Sequence, residues 1–390
     1  MATIGMIANA STQSLLWGNL LDRYRKPAEF VAVGEFLAGI GHIFMVLGYM
    51  YFLGLNQLIP AGYMIIFCLG GIEVFWSMSN VGWSALVSEL TEIDERKRLM
   101  GQFSIIGGFG GIGGAFLGGF LYNDGLGFVD GSIFYIAAFV MVISSFIVYF
   151  TIQLQEANKL QDTPLILEKN HSLSELPSRL RKVYLIFIIA LIFINFGRNS
   201  ISIITNLFLA DPSAFNANGE QIALYSNVGS IASMFAGLVV GSIIAKANDN
   251  KVMISGVILS IVGIFWLIVT PSFSLALVAS FIVGASQVVI QSSSYSIVAE
   301  MAPQEYRGRL FAYYNATFFL SWGIAATLVA GPIADLLISG GLSKANAYRG
   351  SFVTAIVLIT IGIVVLLLSY RYSKKNSMRL LSNGALKENS

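Results

Sequence analysis

The sequence predicts an all-α integral membrane protein, and three observations carry that prediction. Hydrophobic residues make up 56% of the 390 and charged residues 11%, whereas soluble domains carry about 45–50% and about 25%. The apolar residues fall in eleven runs near the length of about 20 that a helix needs to cross the hydrocarbon layer. The charges gather in the turns between those runs.

In chain order the runs are 1–21, 28–53, 61–87, 99–122, 132–152, 183–209, 221–245, 252–270, 274–299, 310–337 and 351–370. The first ends in GNLLDRYRKP (18–27), which holds Asp22, Arg23, Arg25 and Lys26. The third and fourth are joined by SELTEIDERKRLMG (88–101), the fifth and sixth by the polar, basic stretch 153–182, and the ninth and tenth by AEMAPQEYRGRLFA (299–312). Alternate turns and the tail hold all but three of the 23 Lys and Arg; the exceptions are Lys344 and Arg349 in the opposite loops and Arg198 inside a run. Basic loops stay in the cytoplasm, so the C-terminus is expected inside and, with eleven spans, the N-terminus outside.

The turns at 88–101 and 299–312 repeat one another. Glu89 matches Glu300, Arg96 matches Arg307, Arg98 matches Arg309 and Leu99 matches Leu310, each 211 residues on. A weaker echo of 18–27 lies at GSIIAKANDNK (241–251), with Gly241 for Gly18 and Lys246 for Arg23. A duplicated half is the reading: an N-terminal bundle 1–152, a cytoplasmic linker 153–182, a C-terminal bundle 183–370 and a tail 371–390, an arrangement of secondary transporters.

On these residues the chain resembles the major facilitator superfamily. GNLLDRYRKP resembles that family's Gly-x-x-x-Asp-Arg-x-Gly-Arg-Lys signature between its second and third helices: Gly18, Asp22 and Arg23 match, Arg25 stands where the second glycine is usual, and Pro27 replaces the last basic residue. GAFLGG (114–119) resembles the family's Gly-Pro-x-x-Gly-Gly motif, with Ala115 in place of proline. The resemblance implies two pseudo-symmetric bundles, and places the first run as the family's second helix, with the equivalent of its first absent. It also implies a cytoplasmic gate of Gly18, Asp22, Arg23, Glu89, Arg96, Glu300 and Arg307. There Asp22 would cap a neighbouring helix, where the dipole favours an anion.

Charges inside spans are costly, which marks Glu73 and Arg198 near the middle of their runs. Glu73, Ser77, Asn80 and Ser84 form one helical stripe; Asn195, Arg198, Asn199, Ser202 and Asn206 form a second; Gln287, Gln291 and Ser294 form a third. With the absent helix counted, these lie on helices 4, 7 and 10, which the resemblance places around a central cavity. Arg198 is expected to fork onto an anionic or hydrogen-bonding group, with Asn195, Asn199, Ser202, Asn80, Gln287 and Gln291 as further substrate contacts. Glu73 is expected to couple transport to a proton or other ion. Glu35 and His42, seven apart, are read as structural, and Trp76, Trp83 and Trp322 as core packing. The eight glycines of 107–119 are read as a tight, deformable packing seam, with a hinge for alternating access as the alternative.

The function these features imply is secondary active transport of a small solute by alternating access, in a cell (plasma or inner) membrane, by a monomer. Direction stays open between export of amphiphiles and movement of a polar metabolite. A non-transporting relative acting as sensor or scaffold is the alternative. No cofactor, metal or nucleic acid is implied. One cysteine, Cys68, and two histidines cannot furnish an enzyme's clustered constellation, and no ATP-binding loop is present: the glycine-rich segment lies within a span and lacks the Lys-Ser/Thr such a loop needs.

Overall fold

The structure is a computed structural model and describes residues 2–91, 93–122, 126–159, 176–241 and 247–387. No strand occurs among them. In lipid no water can satisfy a backbone N–H or C=O, so a spanning segment must bond within itself, and the described part of each apolar run is accordingly helical. Among the described residues eleven long helical stretches follow one another, besides a short helix Leu126–Val129 and a 3-10 turn Gln304–Tyr306. α1 consists of Ala2–Thr12, a π-helical turn Gln13–Trp17 and Gly18–Tyr24; α2 is Pro27–Gly54, α3 Leu58–Leu90, α4 Ile93–Tyr122, α5 Ser132–Lys159 and α6 Ser178–Ser200 with Ser202–Ala210. α7 is Gly219–Val239, α8 Asp249–Val269, α9 Phe273–Met301, α10 Arg307–Ala325 continued through a π-helical turn Ala326–Ala330 into Gly331–Ser339, and α11 Lys344–Lys387. Ten of these, α2 to α11, are long and apolar enough to cross a membrane. The first apolar run is helical as well, but its π turn divides it into shorter pieces.

The interruptions have local causes. Pro332 lacks the N–H that an unbroken helix would use and lies two residues after the π turn of α10. α1 ends at Arg25, whose φ of 51° and ψ of 40° close the helix in the left-handed conformation, and α2 starts with Pro27 in its first turn, where a missing N–H costs nothing.

Large side chains such as Phe44, Phe67, Phe116, Phe120 and Phe139 are exposed along the helices, as expected of surfaces solvated by hydrocarbon. Contacts group the chain into two compact units. The first comprises Met1–His171, Ser233–Ala245 and Val298–Ile324, and therefore α1 to α5 with the ends of α7 and α9 and the first part of α10; the second comprises Ser172–Ala232, Lys246–Ile297 and Ala325–Ser390. In the first unit α2 lies against α3 and α5, and α1 against α3. In the second, α6 lies along α11, and the two interlock through glycine: a Cβ on Gly197 would stand 2.8 Å from the Ala355 carbonyl, and one on Gly362 3.1 Å from that of Ala190. Such close backbone approach is how spanning helices pack where no hydrophobic force separates protein from lipid.

The glycine-rich face of α4 differs from its expected tight seam. Gly108 meets Met234, but Gly107, Gly110, Gly111, Gly113, Gly114 and Gly118 have no described neighbour within 4 Å of a built Cβ. Small residues permit close packing without requiring it.

Candidate functional site

Of the gate residues read from the sequence, Gly18, Asp22, Glu89 and Arg307 come together within the first unit. Asp22, in the last helical segment of α1, lies at the N-terminus of α10. Its two carboxylate oxygens each accept the Arg309 backbone N–H at 3.2 Å, and Arg309 Nε stands 3.6 Å away. First-turn N–H groups have no partner within their own helix, so a carboxylate there satisfies them and meets the positive end of the dipole. Both side chains are buried, at 7% exposure for Asp22 and 9% for Arg309. Loss of water outweighs these favourable partners and pushes the Asp22 carboxyl up to about 7.

Glycine makes this approach possible. A Cβ on Gly18 would stand 2.8 Å from Ala312 Cβ and 2.9 Å from Arg309 Cα, and one on Gly308 2.8 Å from Asp22 Oδ1. A cavity of about 60 Å³ opens beside the contact, lined by Asp22, Arg25, Glu89 and Arg307 among others. Glu89 reaches Arg307 at 3.9 Å, a loose and partly exposed pair of the kind worth about 0–1 kcal/mol. Arg23 is exposed and lies over the Tyr24 ring at 5.7 Å. Glu300 is exposed, and the Arg96 side chain lies outside the described residues.

The echo of the motif makes the same kind of contact. Gly241, just past α7, comes against Arg98 of α4, a built Cβ standing 3.3 Å from its carbonyl oxygen, and a Cβ on Gly101 would stand 2.9 Å from Gly241 N. Arg98 and Gly101 lie 211 residues before Arg309 and Ala312, so the repeat seen in the sequence recurs as a pair of contacts. Lys246 lies outside the described residues, as do His171 and residues 160–175 of the linker.

The polar stripe of α3 is engaged from two sides. Asn9 Nδ2 donates to Glu73 Oε2 at 2.7 Å, Thr12 and Ser77 share a hydrogen bond at 2.8 Å, and Trp17 Nε1 donates to the Val74 carbonyl at 2.7 Å, all from α1. From α10, Asn315 Nδ2 donates to the Asn80 carbonyl at 3.2 Å and to Ser84 Oγ at 3.0 Å. Asn80 Nδ2 itself is buried without a described partner. Asn9, Gln13, Gly308, Arg309 and Asn315 were not among the sequence candidates. A single amide in an apolar run makes no stripe, although Asn9 and Gln13 at i and i+4 were a signal available to find.

In the second unit, Asn195 is fully buried on α6. Arg198 lies two residues before the break in that helix, its Nε buried and without a described hydrogen-bond partner. Asn199 is partly buried, and Ser202, Asn206, Gln287 and Gln291 are exposed. Of the residues read as structural, Glu35 accepts from Ser79 Oγ at 2.8 Å and His42 Nδ1 lies 3.0 Å from the Ala38 carbonyl. Trp76 meets Phe319 edge-on. Trp83 and Trp322, expected in the core, are 41% and 51% exposed. No group of three or more His, Cys, Asp or Glu able to hold a metal ion occurs among the described residues.

This arrangement of membrane helices defines a transport-protein fold. The sequence matches the family model of the Major Facilitator Superfamily over residues 1–326, and the chain belongs to that family of membrane transporters. Solved structures agree in fold. A bacterial homologue of the iron transporter ferroportin, in an outward-facing state, superposes with a TM-score of 0.70 at 12% identity, over 94% of this chain and 89% of that one. The proton:xylose symporter XylE gives 0.66 at 15%, over 94% and 84%. The human organic anion transporter MFSD10 gives 0.65 at 13%, over 94% and 83%. Comparison with curated proteins gives no significant match.

Proposed function

We propose that the protein is a secondary active transporter that moves a small solute bearing an anionic or strongly hydrogen-bonding group across a cell membrane by alternating access. Its two halves are 1–152 and 183–370, joined by 153–182, and the basic turns and the tail 371–390 lie on the cytoplasmic side. Arg198 is the main substrate contact. Asn195, Asn199, Ser202, Asn80, Gln287 and Gln291 supply further polar contacts, and Glu73 takes up the coupling proton or ion. Gly18, Asp22, Arg23, Glu89, Arg96, Glu300 and Arg307 belong to a gate on the cytoplasmic side that is shut when Asp22 caps α10.

One observation carries the substrate reading. A guanidinium within a membrane helix, its Nε buried without a described partner, is expensive unless something anionic pairs with it for part of the cycle. The test uses the purified full chain and a panel of small carboxylates and phosphates, with thermal unfolding as the readout. A ligand at about a hundred times its Kd stabilises by about 2.7 kcal/mol. A compound that stabilises the wild type is expected to leave Arg198→Ala unmoved; an equal shift in both would remove Arg198 from the site.

A further inference from the structure

Glu73 does not stand alone in the apolar layer. Asn9 and Gln13 lie one turn apart on α1, both fully buried. Gln13 Nε2 donates to Asn9 Oδ1, and Asn9 Nδ2 donates to Glu73 Oε2. The three form a line of hydrogen bonds that all point at the carboxylate. Its far end is Gln13 Oε1, buried and without a described partner. Gln13 is also the first residue of the π-helical turn of α1, and its backbone carbonyl accepts from the Gly18 N–H, the glycine that fits against Arg309 and Ala312.

We propose that Asn9 and Gln13 are positioning residues that relay the protonation state of Glu73 to the Gly18 contact. The proposal rests on the reading of Glu73 as the proton acceptor. The chemistry follows from the two edges of an amide, one an acceptor and the other a donor. With Glu73 ionised the carboxylate only accepts, and the line must run from Gln13 through Asn9 to Glu73, as it does in the structure. A proton taken up on the oxygen that faces Asn9 turns that oxygen into a donor. Asn9 then turns over to accept it and presents its NH₂ to Gln13, which turns over in its place. The proton stays on Glu73, no bond other than hydrogen bonds is exchanged, and the net charge changes by the one proton that entered. The outcome at the far end is a change of sign: an acceptor with no described partner becomes an NH₂ donor on the first residue of the π turn.

Other charges do not obscure this switch. The side chain described as bonded to Glu73 is the uncharged amide of Asn9. From α2, Glu35 is held by Ser79 and His42 lies beside its own helix's Ala38 carbonyl; from α10, Phe319 meets the neighbouring Trp76. The indole of Trp17, the last residue of the π turn, bonds to the carbonyl of Val74, so the protein carries its own reporter.

The experiment titrates pH on the purified full chain in detergent. The Trp17 signal is isolated as the difference in emission between the protein and Trp17→Phe, and the Glu73 carboxyl is followed by the infrared band that Glu73→Gln removes. The expected result is a pH transition in both signals. Gln13→Met, close to isosteric, should abolish the Trp17 transition while the carboxyl band still titrates; Asn9→Leu should do the same if it folds. A Trp17 transition retained in Gln13→Met, or absent from the wild type while the carboxyl titrates, overturns the relay and leaves Glu73 as the proton site. No titrating carboxyl attributable to Glu73 overturns that reading and the relay with it.

Discussion

Asp22 and Arg309 lie 287 residues apart in the chain, yet both carboxylate oxygens of Asp22 accept the Arg309 backbone N–H at 3.2 Å. An acid held this way is driven by two opposing effects, burial against the helix end and the guanidinium. Burial prevails, since the carboxyl is pushed up from 3.8 to about 7.

The pH dependence follows from that sign. A carboxyl whose folded value lies above its unfolded one binds more protons in the folded state, so its stabilising contribution is complete below about pH 4 and is lost as pH rises through about 7. Asp22→Asn lacks this dependence. Thermal unfolding of the two proteins across pH 4–8 should show the wild type falling relative to the variant. Parallel curves would show that Asp22 is not desolvated.

Gly18→Ala should lower stability by about 1–3 kcal/mol, the usual cost of overpacking, because its Cβ meets the backbone of Arg309 as well as Ala312. Gly113→Ala on α4, with no described neighbour within 4 Å, should be neutral or stabilising by about 0.5–1 kcal/mol. Denaturation midpoints of the pair separate close packing from a general effect of glycine replacement.

Arg25 occupies the left-handed region, which costs a residue with a Cβ roughly 1–2 kcal/mol. Arg25→Gly should therefore be more stable than Arg25→Ala by about 1 kcal/mol, the comparison cancelling the lost charge. Equal unfolding midpoints would mean that the turn relaxes.

Ser84 and Asn315 join α3 to α10 through hydrogen bonds in either direction. A double-mutant cycle of Ser84→Ala and Asn315→Ala should give a coupling of about 1 kcal/mol. Additive losses would show that the bond adds nothing beyond each residue's own packing.

Much of this was legible in advance because lipid imposes a simple rule. Apolar runs became helices, and Glu73, Ser77, Asn80 and Ser84, chosen by spacing, share one helix whose partners come from α1 and α10. Spacing alone does not reveal which side chain another helix brings. Asn315 was invisible for that reason, and Arg309 was seen as half of a repeat rather than as the partner of Asp22. Arg25 shows the reverse. The family pattern has glycine there, and the left-handed backbone supplies the physical cause, which no periodicity encodes. The glycines of α4 misled because small size reports what a helix can allow, and says nothing of what lies beside it.

The paired glycine contacts have a symmetry worth following. Gly18 meets Arg309 and Ala312, while Gly241 meets Arg98 and Gly101, the positions 211 residues earlier. Each copy thus offers its glycine to the other's arginine-bearing helix and receives the same in return. That reciprocity is the mark of a self-complementary two-fold surface. Within the first unit a single chain thus makes, as internal contacts, the kind of reciprocal pairing that two identical polypeptides make across a two-fold axis.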